Sequence, residues 1–481
     1  MKSPFLGAFS VSRSRDLSDC QCINLFPEYV ETAQGKEVGA LYMTPGLTLK
    51  ATAGAGPIRG LKTWQGNLYA LTNNTLVKFD TAFNQTSLGT GGNTQGSVSF
   101  VANPTQIAYF DGVGGFSWNG TTFASISLPF VTPGIATEQD GFVLVNQKSS
   151  NKVWQSNLND LTTWNALNFT SADARPENVQ AIFDLKRQVY VFKEASTEIW
   201  VNQGNPGFVF QRIEGVFIEQ GTVAPFSIAK GGESLFWLSQ SENGNGMVLM
   251  TGGVQPERIS THALEYRIGQ YSTISDAIGY CYQDEGHMFY VLTFPTAGET
   301  WVYDATYGKE VPSWHMRAAF SNGAFSRHQG NCYAFFNGQH IIGDYQSGKL
   351  YALDMDTYTD AGAQRKWLRT WRALKTPVFE PVRFESLMID CTSGIAVPPA
   401  SNPTLTLRWS NDNGYNWSPE QYSTGMQTGQ TASRSFFNRL GATRRNTGLD
   451  RIFELSSTDQ FQVALIGAEI GFRSRKGENA V

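Results

Sequence analysis

The chain has 481 residues, more than a single hydrophobic core normally serves, so several units or a repeating fold are expected. Its 48 glycines, 13% aromatics and only 16% charged residues, against ~25% charged in an ordinary globular protein, favour short strands and tight turns over helices. A net charge of −4 excludes a global electrostatic pull on DNA or on an anionic membrane.

Residues 1–57 read as an irregular arm, because Pro4, Pro27, Pro45 and several glycines break any periodicity. The apolar anchors Leu25, Phe26, Tyr29, Leu41 and Tyr42 predict that this arm packs on the rest of the chain. The charged run Ser12–Asp16 interrupts the start and excludes an ordinary signal peptide. No stretch of about 18 apolar residues follows, so no membrane insertion is expected. Cys20, Cys22, Cys281, Cys332 and Cys391 are odd in number and scattered in spacing. They read as free thiols of a protein made in a reducing cytoplasm.

Residues 58–358 repeat one unit: a short alternating strand, a polar turn, a second alternating strand. It appears at 66–80, 106–120, 141–158, 187–204, 234–253, 287–305 and 331–354. Period-2 alternation broken by Gly, Asn and Ser is a hairpin signature, and the spacing approaches the ~40–50 residues of β-propeller blades. A lone blade leaves two apolar faces uncovered, and radial packing buries both. The expectation is an all-β chain with a β-propeller of six or seven blades. Trp154, Trp200, Trp237 and Trp301 are candidates to fill the wedges between blades. Two stacked β-sandwiches are the alternative arrangement of the same hairpins. The glycine cluster at 89–96 has neither the Lys nor the following helix of a phosphate cradle and reads as a flexible loop.

Residues 359–481 read as a C-terminal β-sandwich-like module. Its first segment is basic and aromatic: Arg365, Lys366, Trp367, Arg369, Trp371, Arg372 and Lys375. Two readings fit it, a contact with an acidic partner (a neighbouring subunit or tail protein) or with DNA phosphates, and an edge strand guarded by charge. Ser410, Asp412, Gly414 and Trp417 match S-x-D-x-G-x-x-W, a hairpin turn in which the carboxylate accepts backbone N–H groups, Gly takes a positive φ and Trp folds back as a plug. A second basic cluster, Arg434, Arg439, Arg444, Arg445 and Arg451, is expected in an exposed loop or at a subunit contact.

Chemistry-bearing patterns are missing. The five histidines show no metal-ligand spacing, and no nucleophile elbow, P-loop or dinucleotide fingerprint occurs. Asp304, Asp344, Asp354 and Asp356 recur at hairpin ends, which suits turn capping better than paired acid–base work. No catalytic, cofactor or metal residues are therefore assigned, and no enzyme is expected. A receptor- or glycan-binding propeller, even a glycosidase, is the alternative function, since the S-x-D-x-G-x-x-W turn also occurs in sialidase-type propellers.

Several stretches resemble the phage-stabilisation family of short-tailed bacteriophages, the packaged-DNA stabilisation protein or tail hub (nozzle). They are PVFEPVRFESLMIDCTSG at 377–394, LTLRWSNDNGYNWSPEQ at 405–421, FNRLGATRRNTGLDRIFELSSTDQFQVALIGAEI at 437–470, ETWVYDATYGKEVPSWH at 299–315, and NLFPEYVE with LYMTPGLT near the start. The resemblance implies a structural virion protein, made in the host cytoplasm and carried in the tail. It implies a homo-oligomeric ring, a hexamer, below the portal-adaptor (connector) protein. Such a ring extends the DNA channel, retains the packaged genome, and meets a tail needle or plug and fibres or spikes. Double-stranded DNA would pass through without specific binding, in keeping with the weak net negative charge.

Overall fold

Alternating apolar residues fold 58–354 into seven antiparallel sheets around one axis. The computed structural model describes residues 1–30, 32, 37–308, 311, 313–374, 381–392, 403–423, 429, 434–443 and 451–474. Blades 1 to 6 cover 58–90, 99–126, 133–171, 179–218, 221–258 and 278–321, and blade 7 begins at 330. The seven hairpins read from the sequence lie within the seven blades in order. Asn73 and Asn337 take positive φ (49° each) at their hairpin tips, a conformation Asn tolerates through its short polar side chain.

The count is settled by where blade 7 finds its outer strand. Gly330–Phe336, Gln339–Asp344 and Lys349–Asp354 supply three strands, and Gly46–Thr52 from the arm supplies the fourth, pairing antiparallel with Lys349–Asp354. The chain thus closes its own toroid with a strand made at the other end of the propeller. Each wedge holds an apolar cluster: Tyr69 and Tyr109 between blades 1 and 2, Trp154 between 2 and 3, Trp200 between 3 and 4, and Trp237 between 4 and 5. Phe236 and Tyr290 stack between 5 and 6 (5.2 Å). Tyr282 and Ile342 fill the wedge between 6 and 7, and Ile58 and Ile341 the one between 7 and 1. Trp301 is buried too, with Phe9 of the arm edge-on to its ring at 4.5 Å.

Two further sheets form the β-sandwich. In one, Trp367–Arg372 pairs with Ile452–Ser457, which pairs with Leu405–Ser410 and on to Gln421–Ser423. In the other, Leu25–Tyr29 and Gly39–Met43 of the arm join Ala464–Ser474, Val382–Cys391 and Ser435–Asn438. The first sheet continues into the propeller. Cys22–Ile23 lies between Ser313–Ser321 of blade 6, which it joins in parallel, and Trp367–Arg372, which it joins antiparallel. One ten-stranded sheet therefore runs from blade 6 through the arm into the sandwich.

Candidate functional site

The joint between propeller and sandwich concentrates the features that a structural role would use. Its core is a single apolar cluster with Phe5 and Phe9 from the arm, Trp301 and Trp314 from blade 6, and Trp367, Trp371 and Phe453 from the sandwich. Each fully buried side chain of this size is worth ~1.5–3 kcal/mol, which offsets the entropy of ordering an irregular arm. Phe5 meets Trp371 edge-on at 4.8 Å, and Trp371 Nε1 donates to Ser3 Oγ at 2.9 Å. The Phe9 amide donates to Trp314 O at 2.7 Å.

The basic aromatic segment is the middle of this joint. Trp367–Arg372 is paired along both sides, so it is not an edge strand. Arg365, Trp367, Arg369 and Trp371 are all buried within the chain. Arg369 Nε donates to Phe5 O (2.9 Å), and its Nη1 reaches Ala8 O (3.5 Å) and Gln21 O (3.4 Å). Arg365 donates to Thr44 O (2.6 Å) and to the Thr44 hydroxyl, with Asp360 at 3.7 Å. Burial pushes the Arg365 guanidinium pKa down, and Asp360 opposes the shift. A guanidinium with five donors suits this work, since backbone carbonyls of an unpaired arm need a partner that sheet pairing does not supply. Lys366 is half-buried with its Nζ 5.6 Å from the Phe320 ring. Arg372 is half-buried and holds the Arg15 carbonyl and Asp16 (3.6 Å). What reads in sequence as a charged outward stripe is, for most of its members, an internal staple for residues 5–44.

The second basic cluster divides. Arg434 and Arg439 are exposed, Arg439 with φ +58° and its amide donating to Glu385 O at 2.9 Å. Arg444 and Arg445 lie outside the described residues. Arg451, expected in an exposed loop or at a subunit contact, is instead buried. Its guanidinium lies 4.4 Å from the Phe384 ring centroid and 5.2 Å from that of Trp409, and donates to Asn411 Oδ1 (2.9 Å) and Leu440 O (2.6 Å). Burial pushes its pKa down to about 9, so it stays protonated at neutral pH.

The turn after Leu405–Ser410 is a closed hydrogen-bond unit. Ser410 Oγ donates to Asp412 Oδ1 (2.7 Å) and accepts from the Gly414 amide (2.8 Å), and Asp412 Oδ1 accepts from the Asn416 amide (2.8 Å). Gly414 has φ +84°. Trp417 folds back, donating to Gly414 O (3.2 Å) under the Arg408 guanidinium at 4.9 Å. The hydrogen bonds from Asn416 and Ser410 hold the Asp412 carboxyl down at about 2. The Ser410 hydroxyl and the Asp412 carboxylate are spent within the turn, while the Asn411 and Asn413 side-chain oxygens accept from Arg451 (2.9 Å) and Arg372 (3.4 Å) of other strands.

Two features escaped sequence reasoning. The glycine cluster at 89–96, expected to be flexible, is pinned by Arg59, whose guanidinium donates to the carbonyls of Asn93 (2.6 Å), Gln95 (2.7 Å) and Gly96 (2.7 Å). The innermost strands of the blades also line a cavity of about 430 Å³, with Lys62, Lys230, Phe100, Phe183, Tyr280 and Tyr333 among its walls. Asp304, Asp344 and Asp354 accept the amides of Thr306, Gln346 and Asp356 (3.0, 2.9 and 2.9 Å), as turn caps do. All five cysteines are free thiols. Among the described residues no group of three or more His, Cys, Asp or Glu side chains is placed to hold a metal ion, and no helix is long and apolar enough to cross a membrane.

Two family models match the chain in order. Residues 1–358 match the β-propeller of bacteriophage P22 Gp10, and residues 371–472 match the β-sandwich of the same protein. Solved structures similar in fold include the Neurospora crassa Pan2 WD40 domain (9% identity, TM-score 0.39, covering 64% of this chain and 98% of that one). The WD40 β-propeller domain of Doa1 is another (12% identity, TM-score 0.40, 64% and 96%). A third is the N-terminal domain of Nup159 (8% identity, TM-score 0.37, 73% and 99%). A comparison with curated proteins returned no match.

Proposed function

The chain belongs to the bacteriophage P22 Gp10 family of phage tail and DNA-stabilisation proteins, and from that membership we propose that it forms a closed six-fold ring below the portal-adaptor. In this reading the ring extends the DNA channel, helps retain the packaged genome, and docks a needle or plug and fibres or spikes. It is made in the host cytoplasm and ends in the virion tail. The observation that carries the reading is the ordered match of both family domains along one chain.

Physical features support it. A ring of identical subunits uses one heterologous interface that closes on itself, and such a ring transmits force only if each subunit is stiff. The ten-stranded sheet and shared core give this subunit a rigid joint where two domains would otherwise swivel. A conduit must also release its cargo. Each phosphate neutralised adds affinity through counterion release, so a net charge of −4 suits a wall that DNA slides past. The basic side chains that the sequence displays at 365–372 are mostly consumed inside the subunit, which leaves fewer of them to grip DNA.

Light scattering on the size-exclusion peak, with and without the adaptor protein, tests the proposal. The expected result is a ring on the adaptor, with weak DNA binding and a shallow salt dependence. A chain that stays monomeric beside the adaptor, or a ring that binds duplex DNA tightly with a steep salt slope, would overturn it.

A further inference from the structure

The wedge between blades 6 and 7 holds a buried cation that makes no ion pair among the described residues. Arg317, on Ser313–Ser321, is fully buried, and its Nε, Nη1 and Nη2 make no hydrogen bond among the described residues. Its guanidinium lies 5.0 Å from the Phe289 ring centroid and 5.3 Å from that of Tyr282. The hydroxyl of Tyr282 interacts with the guanidinium without completing a well-formed hydrogen bond.

Other unspent donors gather around it. Thr300 is the cross-strand partner of Arg317, and its hydroxyl accepts the His328 amide (3.3 Å). His328 Nδ1 accepts from the Gly330 amide (3.1 Å), which leaves the proton on Nε2, a buried donor with no acceptor. A methyl placed on Gly330 would lie 2.8 Å from Tyr280 Oη and 3.2 Å from His328 Nδ1, so the Tyr280 hydroxyl lies near the Nδ1 edge of His328. The Tyr280 hydroxyl and both nitrogens of His315 are likewise unpaired. The carboxylates nearby are Asp304, paired with His287 at 2.7 Å, Asp360, paired with Arg365 at 3.7 Å, and Asp284, which acts on Tyr282 and meets His340 at 3.9 Å. Burial, then the charge of Arg317, keeps His315 and His328 neutral.

A buried guanidinium is always charged, and an uncompensated buried charge is among the most costly features a fold can contain. Water satisfies donors without cancelling charge. A small anion does both. We propose that this wedge binds one monovalent inorganic anion of chloride size, held by Arg317 with the Nε2–H of His328 and the hydroxyls of Tyr280 and Tyr282. The site lies beside the strand pairing that closes the toroid, so the anion stabilises the ring-closing wedge.

Crystals of the full chain soaked in bromide test the site directly, and an anomalous peak beside Arg317 is expected. In solution, each tenfold rise in chloride above the dissociation constant should shift the unfolding equilibrium about tenfold, while gluconate at matched ionic strength should not. Arg317→Gln should abolish that chloride response. Gly330→Ala, which keeps the cation but crowds Tyr280 and His328, should weaken it and also lower the bromide peak, so the test survives if Arg317→Gln fails to fold. Ordered water without anomalous signal at Arg317, or equal responses to chloride and gluconate, would overturn the proposal.

Discussion

Replacing Arg369 by methionine tests whether the arm is held by a cation rather than by its apolar anchors alone. Methionine keeps the stem and its packing but removes every donor. Arg369 makes one short hydrogen bond, to Phe5 O at 2.9 Å, and two long ones, to Gln21 O at 3.4 Å and Ala8 O at 3.5 Å. A hydrogen bond to a charged group contributes roughly 1.5–3 kcal/mol, and the long pair adds less. Removing a buried charge returns part of its desolvation cost. The net loss is about 3 kcal/mol, which is roughly a hundred-fold in the equilibrium for local opening. The assay is native-state hydrogen exchange at the amides of Phe9, which donates to Trp314 O, and Ser3, which donates to Ala468 O. Both should exchange about a hundred-fold faster in Arg369→Met, while Leu144 and Val191 in the distant blades stay unchanged. Unaltered exchange at Phe9 and Ser3 would show that the aromatic core holds the arm without the cation.

Three further outcomes are expected. Gly343→Ala sets a methyl 2.4 Å from Ile58 Cγ2 and 2.9 Å from Cys332 Sγ, across the wedge between blades 7 and 1, and should cost about 1–3 kcal/mol by overpacking, read as a lower denaturation midpoint. The neutral, buried His315 and His328 have folded pKa values below their unfolded one of ~6.5. Their stabilisation is complete above that value and declines as pH falls below it. His287 works in the opposite direction. Burial opposes its protonation, but Asp304 and Glu28 outweigh this and raise its pKa, so its contribution is full below ~6.5 and is lost as pH rises through the folded value. Chemical denaturation at pH 5 and pH 7.5 should show the net loss at the lower pH, reduced in His315→Phe. Asn416→Ala should let the Asp412 carboxyl rise from about 2 toward 3.8, followed by carboxyl-carbon NMR titration.

The repeated hairpins were legible because their period-2 pattern is local, and a residue's neighbours in the strand already state which face is buried. The blade number was less so. The outer strand of blade 7 comes from Gly46–Thr52, and no local pattern announces a partner that far along the chain. The arm was legible only as apolar anchors, since a segment that joins sheets of two domains needs no periodicity of its own. Charge misled most. Period-2 geometry puts Trp367, Arg369 and Trp371 on one face and Leu368, Thr370 and Arg372 on the other, and both faces are covered once the strand sits mid-sheet between domains. Arg451 repeats the lesson: its aromatic neighbours Phe384 and Trp409 arrive from other strands. The Ser410–Asp412–Gly414–Trp417 pattern was readable because the hydrogen bonds that shape it lie within eight residues, whereas the contacts of Asn411 with Arg451 and Asn413 with Arg372 were not.

The strand Gly46–Thr52 leaves the ribosome early, yet its partner Lys349–Asp354 appears roughly 300 residues later, about 15–60 s at ~5–20 residues per second. Until then the latch strand lacks its partner, and the blades made so far form an open horseshoe with two bare ends. Synthesis order and seating order thus differ for this segment: it is translated before the first blade and seated only after the sixth. Any delay in that seating leaves two unpaired strand edges available to other copies, which makes the latch strand the point at which overproduction of this protein would first turn to aggregation.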